Sequence, residues 1–252
     1  MTETRIDAFL GGRLRIEQPV RGYRSGADAV MLAAACPARP GQQVLELGCG
    51  AGVASLCLAA RVPGLSLTGV ERDAGFAALA RANAALNGVE MAVIEADLSA
   101  LPPGLRGKSF DHVILNPPYF PAGTPAPQPA RAGARHEETP LAVWLDTALR
   151  RLRPGGRVTV IHLAARLGDL LAGLSGRAGD IAVLPVAARA GREAGRIILS
   201  ARKGGRAPLR LLAPFIMHAA PRHEADREDL TEAAHSVLRH GLPIPSQPGD
   251  MS

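Results

Sequence analysis

Val44-Leu45-Glu46-Leu47-Gly48-Cys49-Gly50-Ala51-Gly52 is the stretch on which the fold turns. A short apolar run that ends in glycines suits a buried strand making a sharp turn. Residues 53–61 then read as a helix, so the turn joins strand to helix. Glycine lets the backbone reverse there and leaves room for a ligand to approach without meeting a Cβ. Working outward, the alternation continues. Residues 65–70 read as a strand, 74–86 as an alanine-rich helix stopped by Asn87-Gly88, and 90–95 and 112–115 as further strands. A helix over 140–152 closes at Pro154-Gly155-Gly156, and 157–163 is a fifth strand. Strands 181–186 and 196–201 are joined by a link too short for a helical crossover, which predicts an antiparallel hairpin. The expectation is an α/β fold, a doubly wound, Rossmann-like and mostly parallel seven-stranded sheet with an antiparallel strand toward the C-terminus.

The flanks are plainer. Residues 27–35 form an apolar run suited to a short buried helix before Pro37, while 1–25 show no sustained period and read as an irregular lead-in. Residues 230–239 suit a last helix, with a frayed tail at 243–252. No repeat or clean linker interrupts the chain. It is therefore expected to be one domain over residues 1–252, with lead-in 1–40, core 41–203 and C-terminal extension 204–252.

Composition sets the surroundings. Of 252 residues, 47% are hydrophobic and 21% charged, as in an ordinary packed protein. No apolar run is long enough for a membrane span, and the N-terminal residues lack a signal-peptide pattern, so a cytoplasmic location is expected. Cys36, Cys49 and Cys57 are odd in number and lack metal-ligand spacing, which suits free thiols in a reducing compartment and no metal site. A net charge of +6 permits a polyanionic partner. The only lysines are Lys108 and Lys203, so the charge is arginine in an Ala/Gly/Pro-rich chain, a bias that genome composition also produces.

The candidate ligand-binding residues fall at predicted strand ends, where open parallel sheets bind their ligands. Glu46 lies inside the first strand. Glu71, followed by Arg72, ends the second, where an acid can accept hydrogen bonds from ribose hydroxyls. Asp97, followed by Leu98, ends the third, where a carboxylate can accept from an adenine amino group. The glycines are spaced G-x-G-x-G, with Val53 where a dinucleotide fingerprint has its last glycine, which argues against a dehydrogenase.

Asn116-Pro117-Pro118-Tyr119 follows the fourth strand directly. An amino group on an aromatic ring is a weak nucleophile because its lone pair is delocalised. The Asn116 side-chain carbonyl and the Pro117 backbone carbonyl can accept from its two N–H groups and pull the nitrogen toward tetrahedral geometry. The two prolines hold these acceptors in place, and Tyr119 offers a flat face for a base. The ordinary alternative is an Asx-Pro turn ending a strand. The order of glycine loop, two acids and this motif favours the chemical reading.

With those residues in place, the chain resembles class I S-adenosylmethionine-dependent methyltransferases of the Asn-Pro-Pro-Tyr group. Within that group it is most similar to bacterial tRNA1(Val) adenine-N6 methyltransferases, which modify the adenosine beside the anticodon. The likeness spans roughly residues 20–240, including Gly22-Tyr23-Arg24-Ser25-Gly26-Ala27-Asp28 and Leu230-Thr231-Glu232-Ala233-Ala234. It implies S-adenosyl-L-methionine as cofactor, with Gly26 and Asp28 near its methionine part, Glu71 at the ribose and Asp97 at the adenine. Gly48, Cys49, Gly50 and Gly52 would form the loop, and Asn116 to Tyr119 the reactive end. It also implies tRNA as substrate. Two alternatives stay open, the glutamine methyltransferases that act on release factors, which carry the same motif, and the rRNA base methyltransferases, which often have Phe where Tyr119 stands. A third reading is a cofactor-binding RNA scaffold without catalysis.

For the RNA itself, the Pro/Gly/Ala-rich residues 121–138 carry Arg131 and Arg135, suited to a phosphate-contacting lid or to a plain surface loop. Arg202, Lys203 and Arg206 form a second basic cluster, whose ordinary reading is a solvated turn. His162 reads as strand packing and Trp144 as helix packing. His218 and His223 suggest no constellation.

Overall fold

A computed structural model describes residues 3–121, 136–137, 139–220 and 229–244. The elements run β1 (Thr4–Phe9), β2 (Leu14–Pro19), α1 (Ala27–Ala35), β3 (Gln43–Leu47), α2 (Val53–Arg61), β4 (Ser66–Glu71), α3 (Ala74–Leu86), β5 (Met91–Glu95), α4 (Pro103–Arg106) and β6 (Phe110–Leu115). After these come β7 (Phe120–Pro121), β8 (His136–Glu137), α5 (Leu141–Arg151), β9 (Leu152–Leu163), α6 (Leu167–Leu174), β10 (Ala178–Ala187) and β11 (Ala194–Lys203). Then follow β12 (Arg210–Leu211), β13 (Phe215–Ile216) and α7 (Glu232–His240).

The main sheet has the order β12-β10-β11-β9-β6-β3-β4-β5, with β13 also on β10. Strands β9, β6, β3, β4 and β5 are mutually parallel, and β11 runs antiparallel to both β9 and β10. The seven longer strands are those expected; β12 and β13 are two-residue additions at the edge. One face is covered by α1, α2, α3 and α7, whose apolar residues share a core with Val44, Ile114 and Ile161. The other is covered by α5 and α6, which pack Leu145, Leu149 and Leu170 against Leu45, Val113 and Val160. Both faces are buried, so the parallel strands are apolar on both sides; Phe110–Leu115 is buried throughout.

Two expectations need correction, and one helix goes beyond them. Residues 4–19 are not an irregular lead-in but an antiparallel hairpin, registered from Thr4↔Pro19 to Phe9↔Leu14. Its signal, Leu14 and Ile16 buried between outward Arg15 and Glu17, spans too few residues to stand out. Pro154-Gly155-Gly156 does not separate helix from strand: β9 begins at Leu152 and crosses these residues as an irregularity in its pairing with β6. Helix α6 has no counterpart in the sequence reading.

The hairpin is tied down by side chains. Asn83 and Asn87 stand four apart at the end of α3, where they meet main chain two residues apart on β2. Asn83 exchanges two hydrogen bonds with Glu17, and Asn87 two with Arg15. Four helical residues rise about 6 Å and two strand residues about 6.8 Å, so the spacings match.

Candidate active site

The carboxyl ends of β3, β4 and β6 lie side by side, with Leu47 registered to Val70 and to Leu115. The strand order reverses direction there, and a cavity of about 370 Å³ opens at that point. Its lining includes Gly26, Asp28, Glu46, Gly48, Cys49, Gly50, Glu71, Arg72, Asp97, Leu98 and the run Asn116, Pro117, Pro118 and Tyr119. All of the sequence-chosen site residues except Gly52 are thus brought together. Gly52 instead stands at the N-cap of α2 in the left-handed region, against Ala80.

The glycine loop is shaped by two close approaches. Gly48 has φ +66, and a Cβ there would come 2.5 Å from the Trp144 ring, so this indole forms one wall of the cavity directly against the loop. Its Nε1–H donates to the Thr139 carbonyl at 3.2 Å. In the middle of β4, Gly69 admits Cys49 Sγ and Met91 Cε, each within 2.7 Å of where a Cβ would sit. Cys49 is therefore packed beneath the loop as a small apolar group.

The acids are held differently. Glu71 is buried and its carboxylate accepts from the N–H groups of Gly50 at 2.9 Å and Asp73 at 3.0 Å, which fixes the loop to the end of β4. Glu46 is buried and accepts from the Ser55 N–H at 3.0 Å and from its hydroxyl. Burial pushes its carboxyl up to about 7, against the Ser55 hydrogen bonds and with help from the Glu71 charge. Asp97 accepts from the hydroxyl and N–H of Ser99 at 2.6 and 2.7 Å, and these bonds hold it below the usual carboxylate range. It stays ionised and ready to accept further hydrogen bonds.

At the reactive end, Asn116 Oδ1 is buried in the cavity wall with no hydrogen-bond partner among the described residues. Leaving such an acceptor unpaired costs about 1–3 kcal/mol. Tyr119 donates its hydroxyl to Asp28 Oδ2, and burial followed by the Asp28 charge raises its pKa, so the phenol stays neutral. His162 meets the Tyr119 ring edge-on, with centroids 5.3 Å apart, and Arg196 lies over that ring at 4.4 Å. Burial, then the Arg166 charge, lowers His162 to about 4, and its Nδ1 accepts from the Leu163 N–H. It is a neutral imidazole protonated on Nε2.

Sequence reasoning missed Tyr23, Trp144 and Arg196 as parts of the site. Trp144 and Tyr119 are 25 residues apart in the chain and Arg196 comes from the antiparallel strand, so no local spacing links them. The basic residues chosen for RNA fare differently. Arg131, Arg135 and most of the 121–138 stretch lie outside the described residues, as does His223. Arg202 pairs with Arg157, six residues before Leu163 on β9 and toward the end of the sheet away from the cavity. Arg202 donates to Gly155 O at 3.2 Å and Lys203 to Leu152 O at 2.6 Å. His218 hydrogen-bonds Asp229 at 2.6 Å.

The family model described as "methyltransferase small domain" matches residues 26–168. The chain belongs to the methyltransferase small domain family. Curated relatives of this methyltransferase include the tRNA1(Val) (adenine(37)-N6)-methyltransferase of Porphyromonas gingivalis, 36% identical over 65% of this chain and 68% of that protein. The protein of the same name from Dickeya chrysanthemi is 35% identical over 75% and 76%, and that from Aeromonas hydrophila 32% identical over 79% and 85%. A crystal structure from Agrobacterium tumefaciens, described as a predicted O-methyltransferase, has 27% identity and a TM-score of 0.69, covering 88% of this chain and 99% of that one. A Thermus thermophilus 16S rRNA N2 G1207 methyltransferase, solved with AdoMet and guanosine, shares the fold with a TM-score of 0.55 and 22% identity over 80% of this chain and 50% of its own. The sheet is thus that of the class I methyltransferases, and this methyltransferase is S-adenosylmethionine-dependent. The cavity fits that cofactor: it has the size of an ordinary small-molecule site, with loop backbone open at Gly50 and the ionised Asp97 in its lining.

Proposed function

We propose that this enzyme methylates the N6 amino group of adenine in tRNA, at the adenosine beside the anticodon, and that residues 1–252 act in the cytoplasm as one catalytic domain. The carrying observation is the buried Asn116 Oδ1 in the cavity wall, which has no hydrogen-bond partner among the described residues. An acceptor left unpaired in such a place calls for an N–H donor, and adenine N6 supplies two. Asn116 Oδ1 takes one and the Pro117 carbonyl the other, freeing the nitrogen lone pair from the ring. Tyr119 stacks on the base. Glu71 holds the cofactor ribose, Asp97 its adenine, and the 48–52 loop passes beneath it. Bound S-adenosylmethionine supplies a sulfonium methyl group for in-line displacement. The residues around it contribute position and electrostatics.

The names of the relatives support tRNA, and the identity over most of the chain supports carrying that substrate over. The Agrobacterium description points to an oxygen acceptor instead. An amide oxygen such as Asn116 Oδ1 orients a hydroxyl but cannot remove its proton, so the geometry favours nitrogen.

The test is methyl transfer from radiolabelled S-adenosylmethionine to total tRNA and to purified release factor in parallel, with wild type and Asn116→Ala. N6-methyladenosine in digested tRNA, absent with the variant, is the expected result. Label confined to release factor would establish the glutamine enzyme instead.

A further inference from the structure

We propose that Arg196 is a positioning residue that fixes the ring of Tyr119 and so decides which face of it receives the substrate base. This rests on the reading of Tyr119 as the stacking platform for a planar amine. Arg196 enters the site from β11, the antiparallel strand, at the level where Arg196 registers with Leu163 at the carboxyl end of β9. Its guanidinium carbon lies 4.4 Å from the Tyr119 centroid, within cation–π range. Its Nε donates to Asp28 Oδ2 at 3.2 Å, the same oxygen that accepts from the Tyr119 hydroxyl. One carboxylate oxygen on α1 therefore anchors both the plane above the ring and the atom at its tip. His162 makes a T-shaped contact with the same ring, at 5.3 Å between centroids. One face of the tyrosine is taken by the guanidinium and its hydroxyl is tied. The remaining face is the one a base can cover.

The arrangement is held by charge. Burial works against the Arg196 cation, yet the Asp28 carboxylate and Tyr119 hold its pKa above the ordinary value. A flat guanidinium fits where an ammonium does not, because lysine offers a point charge with no plane to lay on a ring.

The experiment has two arms. In the first, Arg196→Met and Arg196→Lys are assayed on tRNA, alone and combined with Tyr119→Ala. Each single Arg196 variant is expected to lower kcat by about thirtyfold with the KM for tRNA little changed, and to have no further effect once Tyr119→Ala is present. Losses that multiply in the double variant, or a loss carried by KM alone, would overturn the proposal by showing direct contact with RNA. Recovery of wild-type kcat by Arg196→Lys would overturn it as well.

The second arm needs no substrate. The chain has two tyrosines, Tyr23 and Tyr119, so ring-labelled tyrosine gives two sets of NMR signals, assigned with Tyr23→Phe. Arg196→Met is expected to move the Tyr119 signals toward free tyrosine, while Arg202→Met at the far end of the sheet leaves them in place. Unmoved signals in Arg196→Met would overturn the clamp. If wild type methylates no tRNA, the functional reading fails in the first arm while the ring signals still decide this one.

Discussion

The side chain of Asn83 hydrogen-bonds both main-chain groups of Glu17, accepting from its N–H at 2.7 Å and donating to its carbonyl at 3.0 Å. The same amide nitrogen donates to the Ala51 carbonyl at 3.0 Å, inside the glycine loop. A fully buried side chain thus ties the N-terminal hairpin and the cofactor loop to one helix. Asn83→Ala strands three main-chain groups and is expected to cost about 3 kcal/mol in urea denaturation, with weaker cofactor binding by calorimetry. Asn87→Ala, on a more exposed part of the same seam, is expected to cost about 1 kcal/mol and to leave cofactor affinity alone. Equal costs for the two variants would show that the seam does not depend on burial at Asn83.

Gly48 sets the distance between loop and indole. Gly48→Ala adds a Cβ 2.5 Å from Trp144 at a positive φ, combining backbone strain of about 1 kcal/mol with a collision against a ring. Cofactor affinity is expected to fall at least about tenfold. Gly48→Ala with Trp144→Leu removes the collision and keeps the strain, so affinity should recover in part. No recovery would assign the whole defect to the backbone.

Glu46 gives a pH dependence of definite sign. Burial raises its pKa from 4.5 in the unfolded reference to about 7 in the folded protein, so the native state binds the extra proton across that window. Stability from this group therefore falls as pH rises from about 4.5 to 7, by roughly 3 kcal/mol in all. His112 and His162 act in the opposite sense. Burial lowers both from 6.5 to about 4, so the unfolded chain binds more protons there and stability falls as pH drops through that range. Glu46→Gln is expected to be more stable than wild type above pH 7 and to lose that advantage near pH 4.5, measured as denaturation free energy against pH. A constant difference at all pH values would mean that Glu46 does not titrate in this window.

The sequence shows this site well where chemistry and chain order coincide. Glu46, Glu71, Asp97 and Asn116 each end or nearly end a strand, and parallel strands bring their ends together, so order along the chain becomes proximity in space. The fold was legible for the same reason, since strands buried on both faces announce themselves as apolar runs. What stayed hidden depends on partners far apart in sequence. Arg196 reaches Tyr119 only because β11 runs backwards beside β9, and the length of a link cannot show which residue will stand at the other strand's end. The hairpin at residues 4–19 escaped because its alternation is brief and one edge is satisfied by asparagine side chains of α3 rather than by another strand. Arg202, Lys203 and Arg206 read as a basic cluster or a solvated turn, because sequence conveys charge but not which end of a sheet it occupies.

Arg202 is registered to Arg157 on β9, six residues along β11 from Arg196, or about 20 Å at the rise of a strand. A base seated against Asn116 leaves its flanking phosphates near the cavity mouth and not across the thickness of the protein. The Arg202→Ala, Arg206→Ala double variant is therefore expected to keep kcat/KM on tRNA within about twofold of wild type and to leave the salt dependence of binding unchanged. Each lost phosphate contact would instead lower the slope of log affinity against log salt by about 1. A shallower slope together with a raised KM would mean that the tRNA wraps to the far end of the sheet, and that the interface extends beyond the face that carries the chemistry.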